Sequence, residues 1–86
     1  MNTSAYMSAT LRAMERLIDR RMLTRKQIGE TSGLSQSKVS QLLYGTQRMH
    51  LDEYLKICDA IGVDPTVPMA IASAEVSRNE RRNTHE

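Results

Sequence analysis

With 86 residues, the chain is long enough for one domain. A protein of this size buries only about 60–65% of the surface that its unfolded chain exposes, which makes a large internal active site unexpected. Its only cysteine, Cys58, excludes an internal disulfide, and two histidines far apart in sequence do not have zinc-ligand spacing, so we expect neither metal nor cofactor. The net charge is +2, the three aromatic residues are all tyrosine, and the apolar content is mainly Leu, Ile, Met, Val and Ala, which favours an all-α fold.

The first predicted helix extends from about Ala9 to Arg21, because apolar residues recur there at helical spacing. They are Leu11, Met14, Leu17 and Ile18. Residues 1–8 show no such period, and we expect them to form a flexible N-terminus.

Two short helices follow, and their ends are marked by local signals. Thr24 and Gln27 have the spacing of a capping box, so the second helix is predicted to begin at Arg25. Gly33 suits the left-handed conformation that ends a helix, which places that end near Ser32. Ser35 is the expected cap of the third helix, which should end at Tyr44, before Gly45.

The remaining pattern predicts two more helices. The fourth has an expected apolar face and ends at Gly62; that face consists of Leu51, Tyr54, Leu55, Cys58 and Ile61. The fifth begins near Pro65, with Asp64 or Thr66 as its cap, and continues to about Ser77. We therefore predict one compact five-helix domain over residues 9–77 and a charged tail over 78–86.

Charge is unevenly distributed along the chain. Between Leu11 and Arg48 there are eight basic residues against three acidic ones, whereas five acidic residues oppose one lysine between Met49 and Ser77. The first of these segments favours contact with a polyanion, although a basic run by itself is also typical of a solvated helix face.

The segment from Arg25 to Tyr44 resembles the helix-turn-helix of the lambda-repressor and Cro type, also called the xenobiotic-response-element-like family. The matching residues are Ile28, Gly29, Gly33, Leu34, Ser35, Val39 and Leu42. The resemblance extends over about Leu11 to Pro65 without an insertion in the motif. It implies a lambda-repressor-like DNA-binding domain with its helix-turn-helix at about 25–44.

The third helix is predicted to read DNA bases. Val39 and Leu42 point inward, so the side chains on the opposite side form one polar face, and Gln36 and Ser37 at its N-terminal end are the first candidates for base contact. The predicted base-reading residues are Gln36, Ser37, Ser40, Gln41 and Lys38.

Phosphate contacts are expected around this face, at the N-terminus of the second helix and on the loop after Gly45. The family commonly has glutamine where this chain has Arg25. An arginine at this position can still contact a phosphate, but the difference argues against a role of this residue in bracing Gln36. The expected phosphate-binding residues are Thr24, Arg25, Lys26, Tyr44, Thr46, Gln47 and Arg48.

A single such domain contacts too few base pairs for selectivity, and members of this family usually pair on palindromic DNA. The fifth helix is apolar on more than one side, so we expect the protein to form a homodimer through residues 66–77 of this helix. The candidate dimer residues are Val67, Met69, Ala70, Ile71, Ala74 and Val76.

Other classes of function find little support in the sequence. There is no nucleophile elbow, phosphate loop or metal motif, so an enzyme is not expected. Neither a signal peptide nor a membrane span is indicated, and we expect a cytoplasmic, nucleoid-associated protein of a bacterium or a phage-infected cell. The predicted function is a phage or prophage Cro-like repressor binding double-stranded DNA; an antitoxin that also binds a toxin protein, and a protein-interaction adapter, are the alternatives.

Overall fold

The computed structural model describes residues 2–83, and these form five α-helices. They are α1 (Thr3–Arg20), α2 (Arg25–Ser32), α3 (Gln36–Tyr44), α4 (Leu51–Ile61) and α5 (Thr66–Asn83). The all-α fold with its five helices confirms the prediction, and so do the bounds of α2 and α3. None of the described helices is long and apolar enough to cross a membrane.

The first helix begins at Thr3, six residues before the predicted start. The side chain of Asn2 caps it by accepting a hydrogen bond from the backbone N–H of Ala5 at 3.1 Å. Ala5 and Tyr6 then pack against a small core cluster that α1 shares with α5, consisting of Ala9, Ala72 and Val76. Residues 3–8 therefore belong to α1, and the predicted start of the first helix at Ala9 was wrong.

The fifth helix also differs from its prediction, because it continues through Asn83, beyond the expected end near Ser77. Its cap is Asp64, whose carboxylate accepts hydrogen bonds from the backbone N–H of Thr66 at 2.9 Å and from the Thr66 hydroxyl at 2.6 Å. Thr66 is the first helical residue, and Pro68 lies in the first turn, where a proline is tolerated. The end of the predicted tail, residues 84–86, lies outside the described residues.

The main core lies between α1, α2, α3 and α4. Its fully buried members include Met14, Ile28, Val39, Leu42, Ile57 and Cys58. The prediction for α4 was partly wrong: Leu51 is 66% exposed and Leu55 is 44% exposed, whereas Ile57 is buried. The buried side of α4 instead carries Tyr54, whose hydroxyl donates a hydrogen bond to the carbonyl of Pro65 and so connects α4 to the start of α5.

Candidate nucleic-acid interface

The third helix is fixed at both ends by local interactions. The hydroxyl of Ser35 accepts a hydrogen bond from the backbone N–H of Lys38 at 3.0 Å, as expected for an N-cap. Gly45 ends the helix in the left-handed conformation, with φ of 87°. Between these ends, Val39, Leu42 and Leu43 are buried, so the opposite side of α3 is held facing outward.

Gly29 lets the second helix approach the start of the third. A Cβ atom built at Gly29 would lie 2.8 Å from the backbone oxygen of Leu34 and 3.3 Å from the backbone nitrogen of Gln36. Neither backbone atom can turn aside as the end of a side chain would. A residue without a side chain is therefore needed where α2 meets α3.

The outward side of α3 is polar and accessible. Gln36, Ser37 and Gln41 are exposed, and Ser40 is half-buried. Tyr44, which is 82% exposed, extends from the same side at the end of the helix. These side chains form what we call the α3 face, and it contains hydrogen-bond donors and acceptors but no carboxylate.

Lys38 lies at the edge of the α3 face and contacts other parts of the protein. Its ammonium is 3.4 Å from a carboxylate oxygen of Glu53 on α4, and it donates a hydrogen bond to the side-chain oxygen of Gln47. Any contact of Lys38 with a base therefore competes with these two partners. Its role in base reading stays a prediction.

The loop after α3 is tied to Gln41. The backbone N–H of Gln47 and the hydroxyl of Thr46 each donate to the carbonyl of Gln41, both at 3.3 Å. The side-chain nitrogen of Gln47 also lies 3.4 Å from the side-chain oxygen of Gln41. Thr46 and Gln47 are exposed beside the α3 face, where the sequence predicted phosphate contacts, and Arg48 next to them is exposed as well.

The N-terminus of α2 has the predicted capping box. The Thr24 hydroxyl accepts from the backbone N–H of Gln27 at 3.1 Å, and the Gln27 side chain accepts from the Thr24 N–H at 2.8 Å. Arg25 is half-buried, and its guanidinium forms an ion pair of 2.6 Å with Glu15 on α1. Lys26 is exposed. A phosphate contact by Arg25 would have to share the guanidinium with Glu15.

Two further arginines, which the sequence analysis did not select, lie close to the predicted interface. Arg12 and Arg16 of α1 line a groove of about 780 Å³ together with Tyr44 and Arg48. Arg12 and Arg16 are four residues apart in the sequence, and this spacing indicates that they lie on one side of α1. They bring positive charge to the end of α3, although Arg12 also pairs with Glu75 at 3.2 Å.

The candidate dimer residues of α5 do not share one surface. Val76 is 5% exposed and packs against α1, so it cannot contact a partner without unfolding this pair of helices. Ile71 is half-buried. The other four are exposed; they are Val67, Met69, Ala70 and Ala74.

Two remaining residues of chemical interest lie in α4 and at its start. Cys58 is fully buried, which confirms it as a core residue, and burial raises the pKa of its thiol. His50 has possible ligand atoms of Asp52 and Glu53 nearby, all within 4.8 Å, a proximity that the sequence analysis did not anticipate. The Glu53 carboxylate, however, already accepts from the backbone N–H of His50 at 2.8 Å and pairs with Lys38, so we infer no metal site there.

The comparison with known families agrees with this geometry. A family model described as the Cro/C1-type HTH DNA-binding domain matches residues 14–66, which include the C-terminal part of α1, all of α2, α3 and α4, and the first residue of α5. No curated protein and no solved structure matches the chain. The family match covers more than half of the chain and contains the whole α3 face. The protein therefore belongs to the Cro/C1-type helix-turn-helix family of DNA-binding transcription regulators.

Proposed function

We propose that the protein recognises a specific sequence in double-stranded DNA by inserting α3 into the major groove, and that it represses transcription by occupying a promoter. The observation that carries this proposal is the α3 face: a rigidly capped helix with outward amide and hydroxyl groups, in a domain of the Cro/C1 type. Among regulators, we propose a phage or prophage Cro-like repressor.

The chemistry of the α3 face suits base reading. A glutamine side chain can form two hydrogen bonds with adenine, through N6 and N7, and serine can donate to or accept from several bases. In helix-turn-helix docking, the N-terminal part of the recognition helix reaches the base edges. Gln36 and Ser37 occupy that part of α3, and Gln41 lies about one turn further along.

Phosphate binding is assigned to the exposed groups beside the α3 face. Arg48 and Lys26 are both exposed, Arg48 on the loop after α3 and Lys26 in the first turn of α2, and Thr46 and Gln47 belong to the same loop as Arg48. Because Arg25 is paired with Glu15, we expect Arg48 to contribute more to the salt dependence of binding than Arg25. Each phosphate neutralised should steepen that dependence by about 0.9 in log–log slope.

Gel-shift measurements with two variants test this assignment. Gln36→Ala should lose about 1–3 kcal/mol at one base position of the selected site and little on random DNA. Arg48→Ala should instead weaken binding to every sequence and flatten the salt dependence by about one phosphate. Equal losses on selected and random DNA for Gln36→Ala would refute its base-reading role.

We further propose that the active form is a homodimer on a palindromic operator. Val67, Ala70 and Ala74 recur at helical spacing and form an exposed strip along α5, on the side away from α1. Dimeric helix-turn-helix proteins bind half-sites about 34 Å apart, and we propose that pairing of two copies through this strip meets this spacing. It would also supply the selectivity that one domain lacks.

Sedimentation of two variants tests whether this strip or a second exposed apolar surface forms the dimer contact. Leu51 and Met69 line a groove of about 610 Å³ between α1, α4 and α5. Ala70→Glu should give a monomer, whereas Leu51→Glu, which also puts a carboxylate on an exposed apolar surface, should stay dimeric. The reverse result would move the dimer contact to the groove, and a wild-type monomer on palindromic DNA would remove the dimer altogether.

The two alternatives, a protein-interaction adapter and an antitoxin, predict different results. A protein-interaction adapter would show no salt-dependent DNA binding. An antitoxin would bind DNA as proposed here and would in addition form a stable complex with a toxin protein. A repressor of this kind works at the chromosome, which places the proposed site of action in the nucleoid of a bacterium or a phage-infected cell.

A further inference from the structure

Four side chains form a continuous polar chain from the core of the protein to the α3 face. Glu53 on α4 is only 8% exposed and lies 3.4 Å from the ammonium of Lys38. Lys38 donates to the side-chain oxygen of Gln47, and the side-chain nitrogen of Gln47 lies 3.4 Å from the side-chain oxygen of Gln41. We call this set (Glu53, Lys38, Gln47 and Gln41) the polar chain.

The direction of each hydrogen bond in the polar chain follows from its inner end. The backbone N–H of His50, together with Lys38, holds the pKa of Glu53 below its ordinary value, so this carboxylate is ionised at neutral pH and only accepts. A lysine ammonium only donates. Gln47 must therefore turn its oxygen toward Lys38, which leaves its NH₂ group to donate to Gln41.

Gln41 is oriented in turn by Gln47. The two ends of a glutamine amide have nearly the same shape, so packing alone does not decide which end faces outward. Here the oxygen of Gln41 accepts from Gln47, and its NH₂ group is left to contact DNA. The charge on Lys38 thus determines, through Gln47, which end of the Gln41 amide faces outward.

We propose that the polar chain makes Gln41 a hydrogen-bond donor to DNA, so that the base it contacts carries an acceptor in the major groove. This inference rests on the proposed function of the α3 face. Guanine offers O6 and N7, adenine N7 and thymine O4, whereas cytosine presents only its N4 donor. Gln41 consequently discriminates against cytosine on the strand it contacts, and Lys38 and Gln47 act as positioning residues.

Binding-site selection from random duplexes, followed by gel shifts, tests the inference. Gln41→Ala first identifies the base position, as the one where the preference of the wild type disappears. At that position we expect cytosine to bind about fivefold to tenfold more weakly than the best base, as for one hydrogen bond lost with its partner left unpaired.

Gln47→Glu is the decisive variant. The new carboxylate still accepts from Lys38 but has no donor for Gln41, so the Gln41 amide should turn over and present its oxygen to the DNA. Cytosine should then become the preferred base, or equal to the best one. The added negative charge weakens binding to all sequences alike, so the comparison among bases at this position is unaffected by it.

Two substitutions of Lys38 form a matched pair. Lys38→Arg keeps a group that only donates and should keep the discrimination against cytosine, whereas Lys38→Gln can donate or accept and should lose it. Thermal melting of each variant reports any general loss of stability separately. If the preference of the wild type is the same in Gln47→Glu and Lys38→Gln, or if the wild type selects cytosine, the inference is wrong. Absence of salt-dependent binding to any duplex would instead overturn the proposed function, and this inference with it.

Discussion

The contact around Gly29 leads to a prediction whose sign is opposite to that of ordinary helix propensity. Alanine in a helix interior is normally more favourable than glycine by about 1 kcal/mol. At position 29, however, the added methyl group would lie 2.8 Å from the backbone oxygen of Leu34, and the turn would have to move. Overpacking of this kind costs about 1–3 kcal/mol. We therefore expect Gly29→Ala to lower the free energy of unfolding by about 1 kcal/mol, the difference between the two effects.

The neighbouring position provides the control. Glu30 is exposed on the same helix, so the stability difference between Glu30→Ala and Glu30→Gly measures propensity alone and should favour alanine by about 1 kcal/mol. Thermal unfolding would resolve the predicted loss in Gly29→Ala, since 1 kcal/mol corresponds to a Tm change of about 4–8 °C in a domain of this size. If Gly29→Ala is instead stabilised as much as alanine is favoured at position 30, the close approach of α2 to the turn is refuted.

Three further predictions concern charged and reactive groups. Glu15→Gln should free the guanidinium of Arg25 for phosphate and steepen the log–log salt dependence of DNA binding by about 0.9, and an unchanged slope would show that Arg25 does not reach DNA. Cys58 should react with a thiol reagent such as DTNB only as fast as the protein unfolds, because its thiol is buried and has a raised pKa; rapid labelling of the native protein would contradict this. Glu53 has a lowered pKa in the folded protein, so its ionised form stabilises the fold above the ordinary pKa of 4.5, and this contribution should be lost as the pH falls through the lowered value. Denaturant titrations across this acid range should show a smaller loss of stability in Glu53→Gln than in the wild type, and equal losses would contradict the assignment.

The parts of the fold that the sequence predicted well are those determined by local chemistry. The ends of α2 and α3 depend on Thr24, Ser35 and the glycines that follow each helix, and all of these signals lie within a few residues of the helix end. The start of α1 and the end of α5 were missed, because no strong periodic pattern marks them. Those ends are helical where α1 and α5 pack on each other, and that contact joins the two ends of the chain.

In the candidate site, too, local sequence signals predict some features, whereas tertiary contacts determine the others. The outward direction of Gln36 and Gln41 follows from the helical period once Val39 is placed in the core. The partners of Lys38 and Arg25 could not be read from spacing, since each long side chain reaches an acid on a different helix. Sequence periodicity therefore identified the polar face, while the interactions that orient and neutralise its charged edge required the tertiary structure.

The packing of α5 on α1 has a consequence for the order in which the protein matures. The residues of α1 that cover Ala72 and Val76 are synthesised more than 50 residues before these partners in α5. No described residue of the larger core lies in α5, so helices α1 to α4 can associate before α5 has been synthesised. Ala9 and its neighbours stay uncovered until α5 is made, and a nascent chain stalled before α5 would expose this apolar patch to chaperones and proteases.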